Sequence, residues 1–226
     1  MQVPDAFIRF TFQHRVGFLL LSLFGMFAIA AFAQHSHYED EFFLVDMCLI
    51  VLASLYTVEK ITSHLSMLVF GSAVVGIANI AGYFIPGQEA DLIAGAISLL
   101  FLIWVIVMLF TNIFSRSIVN QRTIMAAVCL YALMGLAFGF IYLLIDYTTP
   151  HSFHLETPST SFGTDAFLDR FFYYSFTTMT TLGFGDITPV SPPARYFSAL
   201  EALIAQLYTT ILVARLVGLH LTQVKR

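Results

Sequence analysis

The chain has 226 residues, of which 58% are hydrophobic and only 11% are charged, and its formal net charge is -4. A soluble domain of this length is far less apolar, so lipid must be the solvent for much of the chain. This composition excludes an ordinary soluble domain and a basic nucleic-acid-binding face, and we expect no nucleic-acid partner.

Six apolar runs are each long enough, or nearly so, for a helix that crosses a bilayer core of about 30 Å. The predicted spans are residues 16–33, 42–58, 65–85, 92–114, 124–145 and 196–221. Most Lys and Arg lie before span one, in every second loop and after span six, whereas the other loops are mainly acidic. The positive-inside rule then places both termini in the cytoplasm, as an even number of spans requires. We expect an integral membrane protein of the plasma or inner membrane.

These runs divide the chain into four predicted parts. Residues 1–15 form a cytoplasmic arm and residues 16–114 a four-helix membrane domain. A cytoplasmic connector at 115–123 leads to a second membrane domain at 124–226.

One stretch between spans five and six is apolar but too short to cross a membrane. Residues 166–179 are long enough for a helix of about four turns, and the sequence TTLGFGD follows at 180–186. Its two glycines allow backbone angles that a side chain would forbid. Non-helical backbone at membrane depth is tolerated only in a protein interior or beside a wet cavity. The pattern therefore predicts a re-entrant helix followed by a loop that lines a cavity.

Residues 178–186 resemble the pore signature of potassium channels, T-x-T-T-V/I-G-Y/F-G-D, with Leu182 in place of the usual Val or Ile. The resemblance extends over spans five and six and is much weaker over spans one to four. It implies an all-α membrane protein with six transmembrane helices, a re-entrant pore helix and a selectivity-filter loop. Four identical chains would surround one pore and conduct K⁺ passively, with no catalysis and no organic cofactor. The implied partners are three further copies of the chain, membrane lipids and K⁺.

The resemblance also assigns roles to residues of the predicted pore domain, 124–226. Potassium is coordinated by backbone carbonyls in the selectivity filter, formed by Thr181, Leu182, Gly183, Phe184 and Gly185, with the ion held at the first four of these. Filter support is expected from Tyr173, Tyr174, Thr177, Thr180, Asp186 and Glu201. A phenol is expected to donate to Asp186. Glu201, an acid at membrane depth, needs a partner, for which we expect Thr177 or Thr178.

Span six has two distinguishable faces. Glu201, Tyr208 and Arg215 recur every seven residues and therefore share one face. The family alignment turns the other face toward the pore. The predicted inner cavity and candidate gate comprise Gln206, Thr210, Val213 and Val217. The two valines either form an apolar constriction or merely pack against a neighbouring helix.

Spans one to four resemble a voltage sensor in architecture but lack its charges. Span four, residues 92–114, contains no Lys or Arg. One charge that crosses 100 mV contributes about 2.3 kcal/mol, and steep gating needs several such charges. We therefore expect only weak voltage dependence. The sequence does not decide whether the protein opens in response to pH, lipid or tension, or is constitutively open.

Three alternatives to a channel remain. A potassium transporter subunit of the kind with four pore loops in one chain is disfavoured because this chain has one. A haem-binding electron-transfer protein would need histidines inside its spans, but all seven lie outside the five cleanest spans. A non-conducting sensory membrane subunit is distinguished from a channel only by measurement of ion flux.

Overall fold

The computed structural model of the protein describes residues 25, 70–78, 88–115, 121–155 and 167–224. Its principal helices are α1 (Gln88–Ser115), α2 (Gln121–Thr148), α3 (Phe167–Met179) and α4 (Pro192–Val224). Residues 70–78, inside predicted span three, are also helical. The N-terminal arm, span two, the rest of span three and all of span one except Gly25 lie outside the described residues.

Three of the described helices are long and apolar enough to cross a membrane. Their membrane-compatible segments are Leu92–Ser115, Thr123–Thr148 and Pro192–Gly218, which overlap predicted spans four, five and six to within four residues at each end. Each helix extends beyond its apolar run, because flanking polar residues continue the backbone hydrogen bonding. The predicted connector at 115–123 is consequently shorter than expected, since α1 ends at Ser115 and α2 begins at Gln121.

A small antiparallel sheet departs from the all-α prediction. Its strands are β1 (Phe153–Leu155) and β2 (Ile187–Pro189), with Phe153 opposite Pro189 and Leu155 opposite Ile187. The Ser152 carbonyl extends the connection by accepting the N–H groups of Val190, at 2.8 Å, and Ser191, at 3.2 Å. Strands of three residues leave no periodic pattern in the sequence, and these two are brought together only by the fold. The sheet joins the segment after α2 to the segment after the TTLGFGD loop.

The hydrophobic core lies along α2, which packs against both α1 and α3. A Cβ atom added to Gly139 of α2 would lie only 2.2 Å from Cδ1 of Phe172 in α3. The missing side chain therefore allows the two helices to approach closely, as small residues commonly do between membrane helices. This contact places α3 firmly against α2.

An aromatic cluster closes the end of this core nearest the sheet. The rings of Tyr142, Phe153 and Tyr174 meet one another edge to face, with centroids 5.0–5.5 Å apart. Phe171 adds a fourth ring, 5.2 Å from Phe153. Edge-to-face contacts stabilise aromatic pairs beyond simple burial, so this cluster ties β1 to both α2 and α3.

Candidate functional site

The short helix predicted at 166–179 is confirmed as α3, Phe167–Met179, and its re-entry into the membrane stays a prediction. Its last carbonyl, that of Met179, accepts a hydrogen bond of 2.9 Å from the Tyr131 hydroxyl of α2. Thr180, the next residue, donates from its hydroxyl to the Phe176 carbonyl at 2.6 Å. Helix ends leave carbonyls without intrahelical partners, and these two side chains satisfy part of that need.

The backbone after α3 folds back onto the helix in an unusual way. The N–H groups of Leu182 and Gly183 both donate to the Thr177 carbonyl, at 2.9 and 3.1 Å. In a trans peptide the carbonyl points opposite to the N–H of the same unit. The carbonyls of Thr181 and Leu182 therefore both point away from α3. In a β-strand successive carbonyls would point to opposite sides, whereas these two successive oxygens face the same side.

Alternating backbone angles accompany this arrangement and continue to the end of the loop. The φ angle is positive at Thr181 (59°), Gly183 (48°) and Gly185 (86°), whereas Leu182 and Phe184 are not in that region. A residue with a side chain avoids positive φ, and Thr181 is one of only two non-glycine residues with positive φ in the described part of the chain. The spacing of Gly183 and Gly185 thus matches the backbone's need at every second position.

The side chains of Leu182 and Phe184 project from the chain. They are 56% and 67% exposed, respectively. Most of their surface is therefore not packed against the rest of the chain. Two large apolar side chains beside a short loop leave a surface that another protein chain can cover.

The two tyrosines expected beside Asp186 have different partners. Tyr173 hydrogen-bonds to Asp186, and desolvation together with this bond raises the pKa of Tyr173 to about 12. Its phenol therefore remains a neutral donor at physiological pH. The Tyr174 hydroxyl instead lies 2.7 Å from the Ser198 hydroxyl, at the beginning of α4. Tyr174 consequently joins α3 to α4, and only Tyr173 reaches Asp186.

Glu201 is completely buried where α2, α3 and α4 meet. Its carboxyl oxygens contact the hydroxyls of Tyr142 in α2 and Ser175 in α3, rather than the expected Thr177 or Thr178. Thr177 is buried and directs its hydroxyl to the Tyr174 carbonyl, at 2.9 Å. Sequence reasoning missed Tyr142 and Ser175 because a single Tyr or Ser in an apolar helix carries no periodic signal.

The face of α4 that carries Glu201 also carries two further polar anchors. The Tyr208 hydroxyl donates to the Ala127 carbonyl of α2 at 2.8 Å. Arg215 donates to the carbonyls of Ile113, at 2.9 Å, and Phe114, at 2.8 Å, near the end of α1. The heptad spacing thus correctly indicated one shared face, directed toward the other helices of the same chain.

The opposite face of α4 is exposed in the single chain. Gln206, Thr210, Val213 and Val217 all lie on it, and each valine is 54% exposed. The Thr210 hydroxyl donates to the Gln206 carbonyl at 2.8 Å, within its own helix. Their assignment to an inner cavity and gate stays a prediction, as does potassium binding at residues 181–185.

Comparison with known proteins bears on this region of the chain. Residues 130–219 match the family model described as an ion channel. The matched segment contains most of α2, all of α3, the TTLGFGD loop and α4 as far as residue 219. No curated protein and no solved structure gives a significant match. The family match and the three apolar helices support an ion-channel domain in an integral membrane protein.

Proposed function

We propose that the protein is a potassium-selective channel subunit that conducts K⁺ passively through a homotetrameric pore. The observation that carries this proposal is that the successive carbonyls of Thr181 and Leu182 both face away from α3. A dehydrated K⁺ ion requires a cage of oxygens that replaces its hydration shell. One chain supplies oxygens on one side only, so several chains must surround the ion. Four copies of residues 181–184 would supply stacked carbonyl rings.

The ion-channel match over residues 130–219 supports conduction as the general activity. Exposure supports assembly, because 22% of the most apolar part of α4 is buried in the single chain, against 67% of that of α2. The projecting side chains of Leu182 and Phe184 provide a second uncovered surface beside the filter. A neighbouring subunit would cover these surfaces.

Purified protein in liposomes with an outward potassium gradient tests this function. We expect K⁺ flux well above that of empty liposomes, with Na⁺ flux much smaller. Gly183→Ala should abolish flux or selectivity, because φ at position 183 is +48° and an added Cβ disfavours that angle. Space is not the reason, since nothing in the described part of the single chain lies within 4 Å of the added atom.

Gly76→Ala is the matched control. A Cβ added at position 76 likewise has nothing within 4 Å among the described residues, but this position lies in a helix and has no positive φ. This variant should conduct as the wild type does. Selective flux that survives in folded Gly183→Ala would contradict the filter assignment, and absence of K⁺ flux in the wild type would contradict the channel itself.

A further inference from the structure

Glu201 lies at the junction of three helices, behind the proposed filter. Its nearest polar partners are the hydroxyls of Tyr142 and Ser175, and its side chain is fully buried. Among the described residues, the titratable groups that face it are phenols, those of Tyr131 and Tyr142 from α2 and Tyr174 from α3. No cation in that part of the chain offsets a charge on Glu201. A buried carboxylate without a cation is costly in free energy, so the hydrogen-bond partners of Glu201 determine whether it is protonated.

Counting hydrogens identifies that state. Three oxygen contacts meet here: Tyr142 with one carboxyl oxygen, Ser175 with the other, and Ser175 with the Gly135 carbonyl at 2.7 Å. Each contact requires one hydrogen between its oxygens, and each hydroxyl supplies only one. Tyr142 and Ser175 together supply two. A neutral carboxylic acid supplies the third.

We propose that Glu201 is a neutral acid whose proton positions the pore helix, and that loss of this proton loosens the filter. The proton on Oε1 is donated to Ser175, Ser175 donates to the Gly135 carbonyl, and Tyr142 donates to Oε2. This arrangement joins α4, α3 and α2 through a single carboxyl group. As a role in conduction, it rests on the function proposed above; the protonation state does not.

Ser175 connects this junction to the filter through α3. It lies two residues before Thr177, whose carbonyl accepts the N–H groups of Leu182 and Gly183. Ionised Glu201 has no hydrogen to donate. The single hydroxyl hydrogen of Ser175 could then bond either the carboxylate or the Gly135 carbonyl, and the other hydrogen bond would be lost. The uncompensated charge would also favour entry of water between the helices. Conduction should therefore be complete while Glu201 is neutral and should fall as rising pH ionises it.

Infrared spectroscopy tests the proton without reference to conduction. Reconstituted wild-type protein at neutral pH should show the carbonyl band of a buried, protonated carboxylic acid. Glu201→Gln should remove the band, whereas Glu89→Gln, at an exposed acid in α1, should leave it unchanged. Ser175→Ala should shift the band, because the acid loses its acceptor. Absence of the band in the wild type, or its persistence in Glu201→Gln, would overturn the proposal.

The pH dependence of flux tests the positioning role. Glutamine imitates the neutral acid, since its amide donates to Ser175 and its carbonyl accepts from Tyr142. Wild-type K⁺ flux should fall severalfold as pH is raised through the range in which the infrared band disappears. Glu201→Gln should conduct at neutral pH and lose that decline. An identical decline in Glu201→Gln would refute the role, whereas a protein with the band but no flux at any pH would refute the channel alone.

Discussion

At the scale of single residues, the loop after α3 depends on one backbone carbonyl and one side chain, which hold its two ends. The Thr177 carbonyl receives two N–H groups from the loop, and Tyr173 bonds to Asp186 at its far end. Between these points the glycines adopt angles that few other residues tolerate. The loop conformation is thus supported at its beginning and at its end by α3 itself.

Tyr173→Phe removes the hydroxyl that bonds Asp186 and keeps the ring. We expect a loss of about 1 kcal/mol in the free energy of unfolding, the usual contribution of one hydrogen bond. We also expect lower selectivity for K⁺ over Na⁺, because the outer end of the loop is less restrained. Unfolding in detergent measures the change in stability, and K⁺ and Na⁺ flux measured on the same liposome preparation gives the selectivity.

Tyr174→Phe is the control for this change. Its hydroxyl pairs with Ser198 instead, so a similar loss of stability should leave selectivity unchanged. If the two variants affect selectivity equally, the Tyr173–Asp186 bond has no special role in the loop.

At the scale of helices, α4 contacts the rest of its chain through polar anchors spaced by seven residues. Glu201 reaches α2 and α3, Tyr208 reaches α2, and Arg215 reaches α1. Since Arg215 lies near the C-terminal end of α4 and bonds the C-terminal end of α1, these two ends lie on the same side of the molecule. That arrangement is the one required when spans four and six run in the same direction.

Arg215→Gln tests the anchor between α4 and α1. The guanidinium donates to two terminal carbonyls and lies 4.6 Å from the centroid of the Phe114 ring. A cation at a helix C-terminus is stabilised by the helix dipole as well as by these contacts. We expect the substitution to cost about 2 kcal/mol of unfolding free energy, measured in detergent, and Arg215→Lys to cost less.

Arg195→Gln is the comparison for that measurement. Arg195 is exposed and donates one bond of 3.2 Å to the Pro189 carbonyl, so its loss should cost less than about 0.5 kcal/mol. Equal stability of Arg215→Gln and the wild type would show that the anchor contributes nothing.

The exposed valines of α4 carry the prediction about the gate. In a tetramer Val213 and Val217 would each form a ring of apolar side chains, which blocks ions by excluding water. Val217→Ser should therefore raise resting flux per tetramer, with a smaller increase for Val213→Thr and unchanged selectivity. If neither substitution raises flux, these valines pack against a neighbouring helix and do not form a gate.

At the scale of the whole molecule, the helices in the described part of the chain are buried to different extents. The core is built around α2, whereas α4 leaves a row of large apolar side chains exposed, among them Leu203 at 56% and Leu207 at 50%. Leu203 and Leu207 are four residues apart and so lie on one side of the helix. Lipid can cover such a side chain, but it cannot complete an oxygen cage around an ion.

The mass of the purified protein tests the assembly. In mild detergent we expect four times the 25.3 kDa mass of one chain, after correction for bound detergent. Glutamate at Leu203 or Leu207 should reduce this mass, because an unpaired charge inside a subunit interface is costly. A wild-type mass of one or two chains would contradict the tetramer.

Several features were determined by the sequence alone because each depends on local order along the chain. Apolar length predicted the three described membrane-compatible helices, and the short apolar run predicted α3. The positions of Gly183 and Gly185 indicated where the backbone would adopt positive φ. The heptad spacing of Glu201, Tyr208 and Arg215 indicated one face of α4. A helix or loop pattern is readable because its determinants are consecutive or regularly spaced.

The tertiary structure alone decided which distant groups meet. Nothing in the order of residues pairs Glu201 with Tyr142 and Ser175, separates the partners of Tyr173 and Tyr174, or joins β1 to β2. These contacts depend on the close approach of α2 and α3 at Gly139 and on the packing of α4 against both. Isolated polar side chains acquire their partners only after helices pack, because burial then obliges each polar atom to find one.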